Sequence, residues 1–269
     1  MIPHREIAAA KLNLALHIRG KLPDGRHRIE TVFAFCNEGD RLTADPADTL
    51  SLTTSGLFAS ELPDSQDNLV LRAARALQDV AGTADGAAIH LDKRLPVASG
   101  IGGGSADAAA TLRLLTSLWH LDPALAAKVA PALGSDVPAC LISLAARGEG
   151  AGDELSLADP AGISGVPVLL ANPRVALSTA DVFARWNGID QGPLGDWRKG
   201  HNGLDAAAIT LVPQIETVLA WLQAQAGANF VRLSGSGATC FALFDSDEQR
   251  DRATEAVPRE WWHLATSLR

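Results

Sequence analysis

At 269 residues, 47% hydrophobic and 20% charged, the chain can bury one large core or two joined ones. A formal net charge of -8 argues against a broad nucleic-acid or anionic-membrane surface, which needs clustered lysine and arginine, so an anionic ligand must be held by a local site. No apolar run nears the roughly 18 residues of a membrane span, and Met1 to Glu6, with Lys11 soon after, lacks a signal-peptide core. A soluble, cytoplasmic protein is therefore expected, with Cys36, Cys140 and Cys240 as reduced core residues: they are odd in number and lack a Cys-x-x-Cys spacing.

From Ala10 the chain alternates as a half-buried strand, with Leu12, Leu14, Leu16 and Ile18 on one face and Lys11, Asn13 and His17 on the other. Pro23-Asp24-Gly25-Arg26-His27 reads as a turn, and Ile29–Cys36 as a returning strand with His27 at its entrance. Asp40–Asp45 and Thr49–Thr54 suggest further strands, and Ser60–Asp67 a polar surface loop. Asp67 or Asn68 can cap a helix running to about Val80, and Ala87–Leu95 is a strand.

The next stretch, Pro96 to Leu112, organises the rest. Four glycines, Gly100 and Gly102 to Gly104, precede an Ala/Leu run of helical composition. A glycine loop that feeds a helix start presents amides without internal partners together with the positive end of the helix dipole, a geometry suited to phosphate. The alternative is a tight strand-to-helix turn. No lysine follows the glycines, so this is not a Walker A loop, and Ser105 stands where a dinucleotide fingerprint needs a third Gly or Ala, so a dinucleotide oxidoreductase fails at the glycine spacing.

Downstream, Asp122-Pro123 caps and opens a helix that Gly134 ends, with Asp136 just beyond. Asp136 has a plain reading as an N-cap, since Val137-Pro138 follows, and Lys11 has one as a solvated lysine. The glycine and acidic cluster from Arg147 to Glu154 predicts a hinge, hence subdomains 1–154 and 155–269. A strand at Val166–Ala171 and a helix at Thr179–Trp186 follow. Asp205 begins a long helix to about Ala226, interrupted at Pro213. Phe230–Ser234 and Cys240–Phe244 are strands joined by Ser234-Gly235-Ser236-Gly237-Ala238-Thr239. Strands and helices without regular alternation indicate an α+β chain.

Pro96-x-x-x-Gly100-Ile101-Gly102-Gly103-Gly104-Ser105-Ala106-Asp107-Ala108 closely resembles the phosphate loop of the GHMP kinases. Three further segments match that family in order: Ala10-Lys11-Leu12-Asn13-Leu14 with Asp24-Gly25-Arg26-His27; Gly134-Ser135-Asp136-Val137-Pro138; and Leu233 to Ala238. The resemblance spans residues 10 to 238. It implies the two-subdomain GHMP-kinase fold with its active site in the cleft between subdomains, and ATP-dependent phosphorylation of a small alcohol, most like the member that acts on a diphosphocytidyl substrate. Kinases of this family for other alcohols, and a non-catalytic sensor on the same fold, are the competing readings.

By the same resemblance Asp136 orients or deprotonates the substrate hydroxyl and Lys11 stabilises charge in transfer. Pro96, Ala98, Gly100, Gly102, Gly103, Gly104, Ser105 and Ala106 fall at the ATP phosphates, and Asn68, Leu69 and Lys93 at adenine. Asn13, Arg26, His27, Thr179 and Phe183 fall at the substrate. Mg²⁺ is implied by the chemistry; its ligands are not readable from the sequence, although Ser105 and Asp107 are near enough to the phosphates to be considered. Arg26 departs from the family: it stands where a tyrosine stacks on cytosine, and the chain has no tyrosine. A guanidinium plane opposite Phe183, with His27 at the base edge, is one expectation, and an exposed arginine in a polar turn is the other. His17 also replaces a family aromatic. Asn202-Gly203-Leu204-Asp205 resembles a family segment near the active site.

Overall fold

The computed structural model describes residues 4–62, 67–157 and 162–269. The chain forms two compact units that are discontinuous in sequence. The first takes the chain up to Ala10, Glu38–Val97 and Gly102–Ser143; the second takes Lys11–Asn37, Ala98–Ile101 and Leu144–Arg269. Strands β1 (His4–Lys21) and β2 (His27–Ala47) pair, and each contributes to both units.

In the first unit Arg41–Ala47 of β2 pairs antiparallel with β4 (Gly86–Asp92), and β3 (Ser51–Ser55) runs parallel to β4. Helix α1 (Leu69–Ala81) starts where Asn68 Oδ1 accepts the Val70 amide at 2.9 Å and stops at Gly82, which is left-handed. Its Val70, Leu71, Ala73, Ala74 and Leu77 are buried on one side. Helix α2 (Gly103–Leu118) is apolar almost all round, and accordingly lies inside the unit against α1, α3 (Pro123–Leu133) and α4 (Val137–Ile142). Asp122 caps α3 through the Ala124 amide, with Pro123 at its first turn and Gly134 after its end.

The second unit adds the hairpin β5 (Ala146–Glu149) and β6 (Glu154–Leu157), with β5 paired to Thr31–Phe33 of β2. Strand β7 (Pro167–Asn172) is followed by helices α5 (Thr179–Ala184), α6 (Asp205–Leu211) and α7 (Gln214–Gln223). Strands β8 (Ala228–Leu233) and β9 (Cys240–Phe244), helix α8 (Asp247–Glu255) and strand β10 (Trp262–Ser267) complete it. A four-stranded antiparallel sheet has the order β10-β7-β9-β8. Its core joins Leu169 of β7, Phe244 of β9 and Ile215, Val218 and Leu222 of α7 to Leu16 and Ile18 of β1.

Several sequence expectations change. Ile29–Cys36 and Asp40–Asp45 are one strand, because the chain stays extended through Gly39, where a Cβ would lie 1.9 Å from the Ala8 carbonyl oxygen. Arg147–Glu154 is a hairpin and not a hinge: Gly150 and Gly152 supply the positive φ of a tight turn, and residues 154 and 155 fall within one strand. The linear division at 154 thus differs from the discontinuous units. The helix from Asp205 breaks fully at Val212-Pro213, where proline donates no amide. Helix α8 and strand β10 were not anticipated: α8 buries only Ala253 and has no apolar stripe to read. Of the Ser60–Asp67 loop, residues 63–66 lie outside those described, as do residues 1–3 of the amino terminus. No helix among the described residues is long and apolar enough to cross a membrane.

Candidate active site

In the first unit the glycine stretch opens α2. Gly102 occupies the N-cap position at φ 67°, and no side chain caps the helix, so the first-turn amides of Gly103, Gly104 and Ser105 have no acceptor within it. Asn68 is 5% exposed with its carbonyl oxygen committed to capping α1. Leu69 Cδ1 lies 3.3 Å from where a Gly104 Cβ would stand, so α1 packs on the first turn of α2. Lys93 is 1% exposed, and its ammonium donates to Asp40 Oδ2 and Asp107 Oδ2, each at 2.6 Å. Its charge thus faces the interior and not an adenine pocket, and Asp40, which gave no sequence signal, is its partner.

Asp136 holds the N-cap position of α4 in helical conformation (φ -84°, ψ -14°), and its side chain accepts no capping bond. The plain cap reading of this residue therefore fails. The helix runs for six residues and ends at the left-handed cap residue Ser143.

In the second unit Lys11 is 4% exposed, contrary to the solvated reading, because both faces of β1 are covered around it. Lys11 Nζ donates to Asn13 Oδ1 at 2.8 Å and lies 5.5 Å from the centroid of the Phe33 ring. Asn13 Nδ2 in turn donates to Thr31 Oγ1 at 2.8 Å, and Thr31 donates to the Ala15 carbonyl at 2.7 Å. This chain of bonds fixes which end of the Asn13 amide faces the ammonium, a role for Thr31 that the sequence did not signal. The backbone N–H of Asn13 donates to Ser234 Oγ at 3.2 Å, and Ser234 Oγ to the Gly100 carbonyl at 3.1 Å.

Gly100 has φ 78°, and a Cβ there would lie 2.3 Å from the Ser234 carbonyl oxygen. Close approach to the Ser234–Ala238 turn accounts for this glycine without any ligand. Asn202 braces that turn from behind, donating to the carbonyls of Leu233 at 3.0 Å and Gly235 at 2.7 Å. Thr179 Oγ1 and Ser236 Oγ share a hydrogen bond of 2.9 Å. His17 ties down the loop before α6: its Nδ1–H donates to the Gly192 carbonyl at 3.1 Å, its Nε2 accepts the His201 amide at 3.4 Å, and its ring centroid lies 4.3 Å from that of His201.

The turn at Arg26 differs most from expectation. Arg26 Nε donates to Asp24 Oδ2 at 2.8 Å and Nη1 to Asp153 Oδ2 at 3.1 Å, so two carboxylates hold the guanidinium. Phe183 meets the His27 ring instead, with centroids 4.8 Å apart and planes tilted by 34°. Trp186, a residue the sequence reading missed, meets His27 edge-on at 5.4 Å. Its spacing of three from Phe183 within the expected helix Thr179–Trp186 was the available signal, although α5 itself ends at Ala184. His27 Nε2 is buried with no hydrogen-bond partner among the described residues. Burial, with a smaller effect of Lys21, lowers the His27 pKa and favours the neutral ring.

Comparison with known proteins adds to this geometry. Residues 68–143 match the model of the GHMP kinases N terminal domain, and residues 188–264 that of the GHMP kinases C terminal domain. The chain belongs to the GHMP kinase family. This GHMP kinase is 50% identical to a 4-diphosphocytidyl-2-C-methyl-D-erythritol kinase of Rhizorhabdus wittichii, over 98% of its own length and 94% of the relative's. It is 47% identical to the enzyme of that name from Novosphingobium aromaticivorans, over 98% and 93%. Among solved structures, one of 4-(cytidine 5'-diphospho)-2C-methyl-D-erythritol kinase superposes with a TM-score of 0.84 at 31% identity, covering 98% of each chain. Homoserine kinase from Cytophaga hutchinsonii, at 18% identity and a TM-score of 0.68, shares the fold.

Proposed function

We propose that this GHMP kinase transfers the γ-phosphoryl group of ATP to the 2-hydroxyl of 4-diphosphocytidyl-2-C-methyl-D-erythritol, a step of non-mevalonate isoprenoid biosynthesis. The observation that carries the reading is near-full-length identity of 50% and 47% to enzymes of that name. The four ordered motifs support it, since they supply the parts that phosphoryl transfer needs: a phosphate cradle, a cation and a carboxylate. In this reading the open first-turn amides of α2 take the triphosphate, together with Pro96, Ala98, Gly100 and Gly102 to Ala106. Asn68, Leu69 and Lys93 line the adenine side through backbone and packing surfaces, the Lys93 ammonium being engaged elsewhere.

Asp136 receives the proton of the attacking hydroxyl, and Lys11 offsets the negative charge that develops in transfer. Asn13, oriented by Thr31, keeps the Lys11 ammonium in one position. His27, Phe183 and Thr179 serve the cytidyl end, with Arg26 at its margin. Among the described residues no three His, Cys, Asp or Glu side chains assemble a metal cage. That fits Mg²⁺ arriving on the triphosphate, since this ion keeps several waters and takes few protein oxygens; Ser105 in the first turn of α2 is the residue we assign to it. Bound there, Mg²⁺ would neutralise phosphate charge. The three cysteines are buried and unbridged, which suits the reducing cytoplasm we assign as its compartment.

The test is ATP consumption across a panel of alcohols, including homoserine and mevalonate, with mass spectrometry of the product. A phosphorylated diphosphocytidyl alcohol is expected. Turnover of another panel member in its place would overturn the substrate assignment, and no turnover of any would favour a sensor.

A further inference from the structure

Asp40 on β2, Lys93 just after β4 and Asp107 on α2 are 0%, 1% and 3% exposed, and they form one hydrogen-bonded cluster inside the first unit. The Lys93 ammonium touches one oxygen of each carboxylate at 2.6 Å. The other oxygen of Asp40 accepts the backbone amides of Arg94 at 2.6 Å and Leu95 at 2.8 Å, the two residues that lead into the glycine loop. Asp107 stands in α2 just beyond the loop's far end. A Cβ at Gly103 would lie 3.1 Å from Lys93 Nζ, so the ammonium sits directly beneath the first turn of α2.

We propose that Asp40, Lys93 and Asp107 are a clasp that ties the entry of the glycine loop to its exit and so holds the loop in its nucleotide-ready shape before ATP arrives. This rests on the reading that α2's first turn takes the triphosphate. Asp40 fixes the entry through two amides, Asp107 fixes the exit, and Lys93 joins them.

Stability alone does not explain the cluster. Burying three charges carries a desolvation penalty that ion pairing often fails to recover, and here two carboxylates share one ammonium. Asp107 shows that penalty directly. Its Oδ1 has no hydrogen-bond partner among the described residues, and burial pushes its carboxyl up to about 7, with Lys93 opposing and Asp40 adding to the rise. What the arrangement supplies is direction: ion pairs with fixed hydrogen bonds define one geometry where apolar packing would tolerate several. A loop that opens for part of the time binds ATP more weakly by that fraction, whereas turnover at saturating ATP is unaffected. The three are positioning residues for nucleotide binding.

The test uses the full-length chain with Asp107→Ala and Asp107→Asn. The Ala variant cuts the exit tie and is expected to raise the ATP KM by about tenfold, the scale of one lost buried charge-assisted hydrogen bond. Its kcat and alcohol KM should stay near wild type, and amide hydrogen exchange over residues 97–105 should quicken. The Asn variant keeps an acceptor for Lys93 and leaves one ammonium against one carboxylate, so its ATP KM and loop exchange should match wild type. If Asp107→Ala does not fold, Asp107→Leu fills the space, leaves the Lys93–Asp40 pair balanced and is expected to show the same KM split. An unchanged ATP KM in a folded Ala or Leu variant, or an equal loss in the Asn variant, overturns the clasp. A common fall in kcat and rise in both KM values would also overturn it, by indicating general damage. Hydrogen exchange separates this failure from that of the underlying reading. If ATP does not slow exchange at Gly103–Ala106 in the wild type, the phosphate assignment falls; if ATP slows it and the variants bind ATP normally, only the clasp falls.

Discussion

Asp136 begins α4 in helical conformation without a side-chain capping bond, and asparagine keeps its size and one acceptor oxygen while losing the ability to take a proton. Asp136→Asn should therefore leave the melting temperature nearly unchanged while lowering kcat by about 10²–10⁴, the range for loss of a general base. Single-turnover rates beside thermal melts test this, and a fully active Asn variant would remove Asp136 from the chemistry. Arg26 and Phe183 separate in the same way. Because Asp24 and Asp153 already hold the guanidinium, Arg26→Ala is expected to change kcat/KM for the cytidyl substrate by only a few-fold. Phe183→Ala removes a stacking face, with a loss of about 1–3 kcal/mol in the same parameter. The reverse order would restore Arg26 as the stacking surface. At Asp205, burial raises the carboxyl to about 7 against the pull of Arg232, and its Oδ1 has no partner among the described residues. Between about pH 4 and 7 the folded chain thus binds a proton that the unfolded chain has lost, and this group's contribution to stability declines as pH rises through that window. Asp205→Asn should melt above wild type at pH 8, with the gap closing toward pH 4; a gap independent of pH would reject the linkage.

At the scale of elements, the glycine stretch divides into parts that do different things. Gly100 is required by its positive φ and by the Ser234 carbonyl oxygen 2.3 Å from a would-be Cβ, whereas Gly104 lies in α2 with only the tip of Leu69 nearby at 3.3 Å. Gly100→Ala should lower the melting temperature by at least about 3 °C, while Gly104→Ala should hold it, since alanine favours a helix and Leu69 can shift. Equal losses in both would mean that the stretch is uniformly strained. The elements themselves were legible where a local signal was strong. Asn68 and Gly82 delimit α1, and Asp122-Pro123 and Gly134 delimit α3, through side chains and backbone conformations that neighbours in sequence impose. The β5–β6 hairpin was misread because glycine and acidic residues suit a tight turn as well as a hinge, and only the pairing of Ala146 with Leu157 decides between them.

For the molecule as a whole, the second unit draws part of its core from the amino-terminal strands: Leu16, Ile18 and Ile29 pack with residues of β7, β9 and α7. A fragment of residues 155–269 would lack them and expose the surface they cover, each such side chain accounting for about 1.5–3 kcal/mol of burial. That fragment should show no cooperative thermal transition and should bind a hydrophobic dye; a sharp melt at full-chain temperature would show that the linear half is self-sufficient.

The sequence by itself determined the family and the ordered set of motifs, from the glycine loop to Gly134-Ser135-Asp136-Val137-Pro138. Such motifs are short runs whose backbone conformation and chemistry depend on adjacent residues. It also determined that Cys36, Cys140 and Cys240 are core residues, since all three are buried and unbridged. Only the tertiary structure decided that Lys11 is buried rather than solvated, because strand alternation cannot tell whether the second face of β1 is covered. Only it decided that Lys93 turns inward to Asp40 and Asp107, residues 53 and 14 positions away, and that Arg26 is held by Asp153, 127 positions away. For Lys93 and Arg26 the physical reason is shared: a charged side chain takes its role from the partners that neutralise it, and for both a partner lies far along the chain.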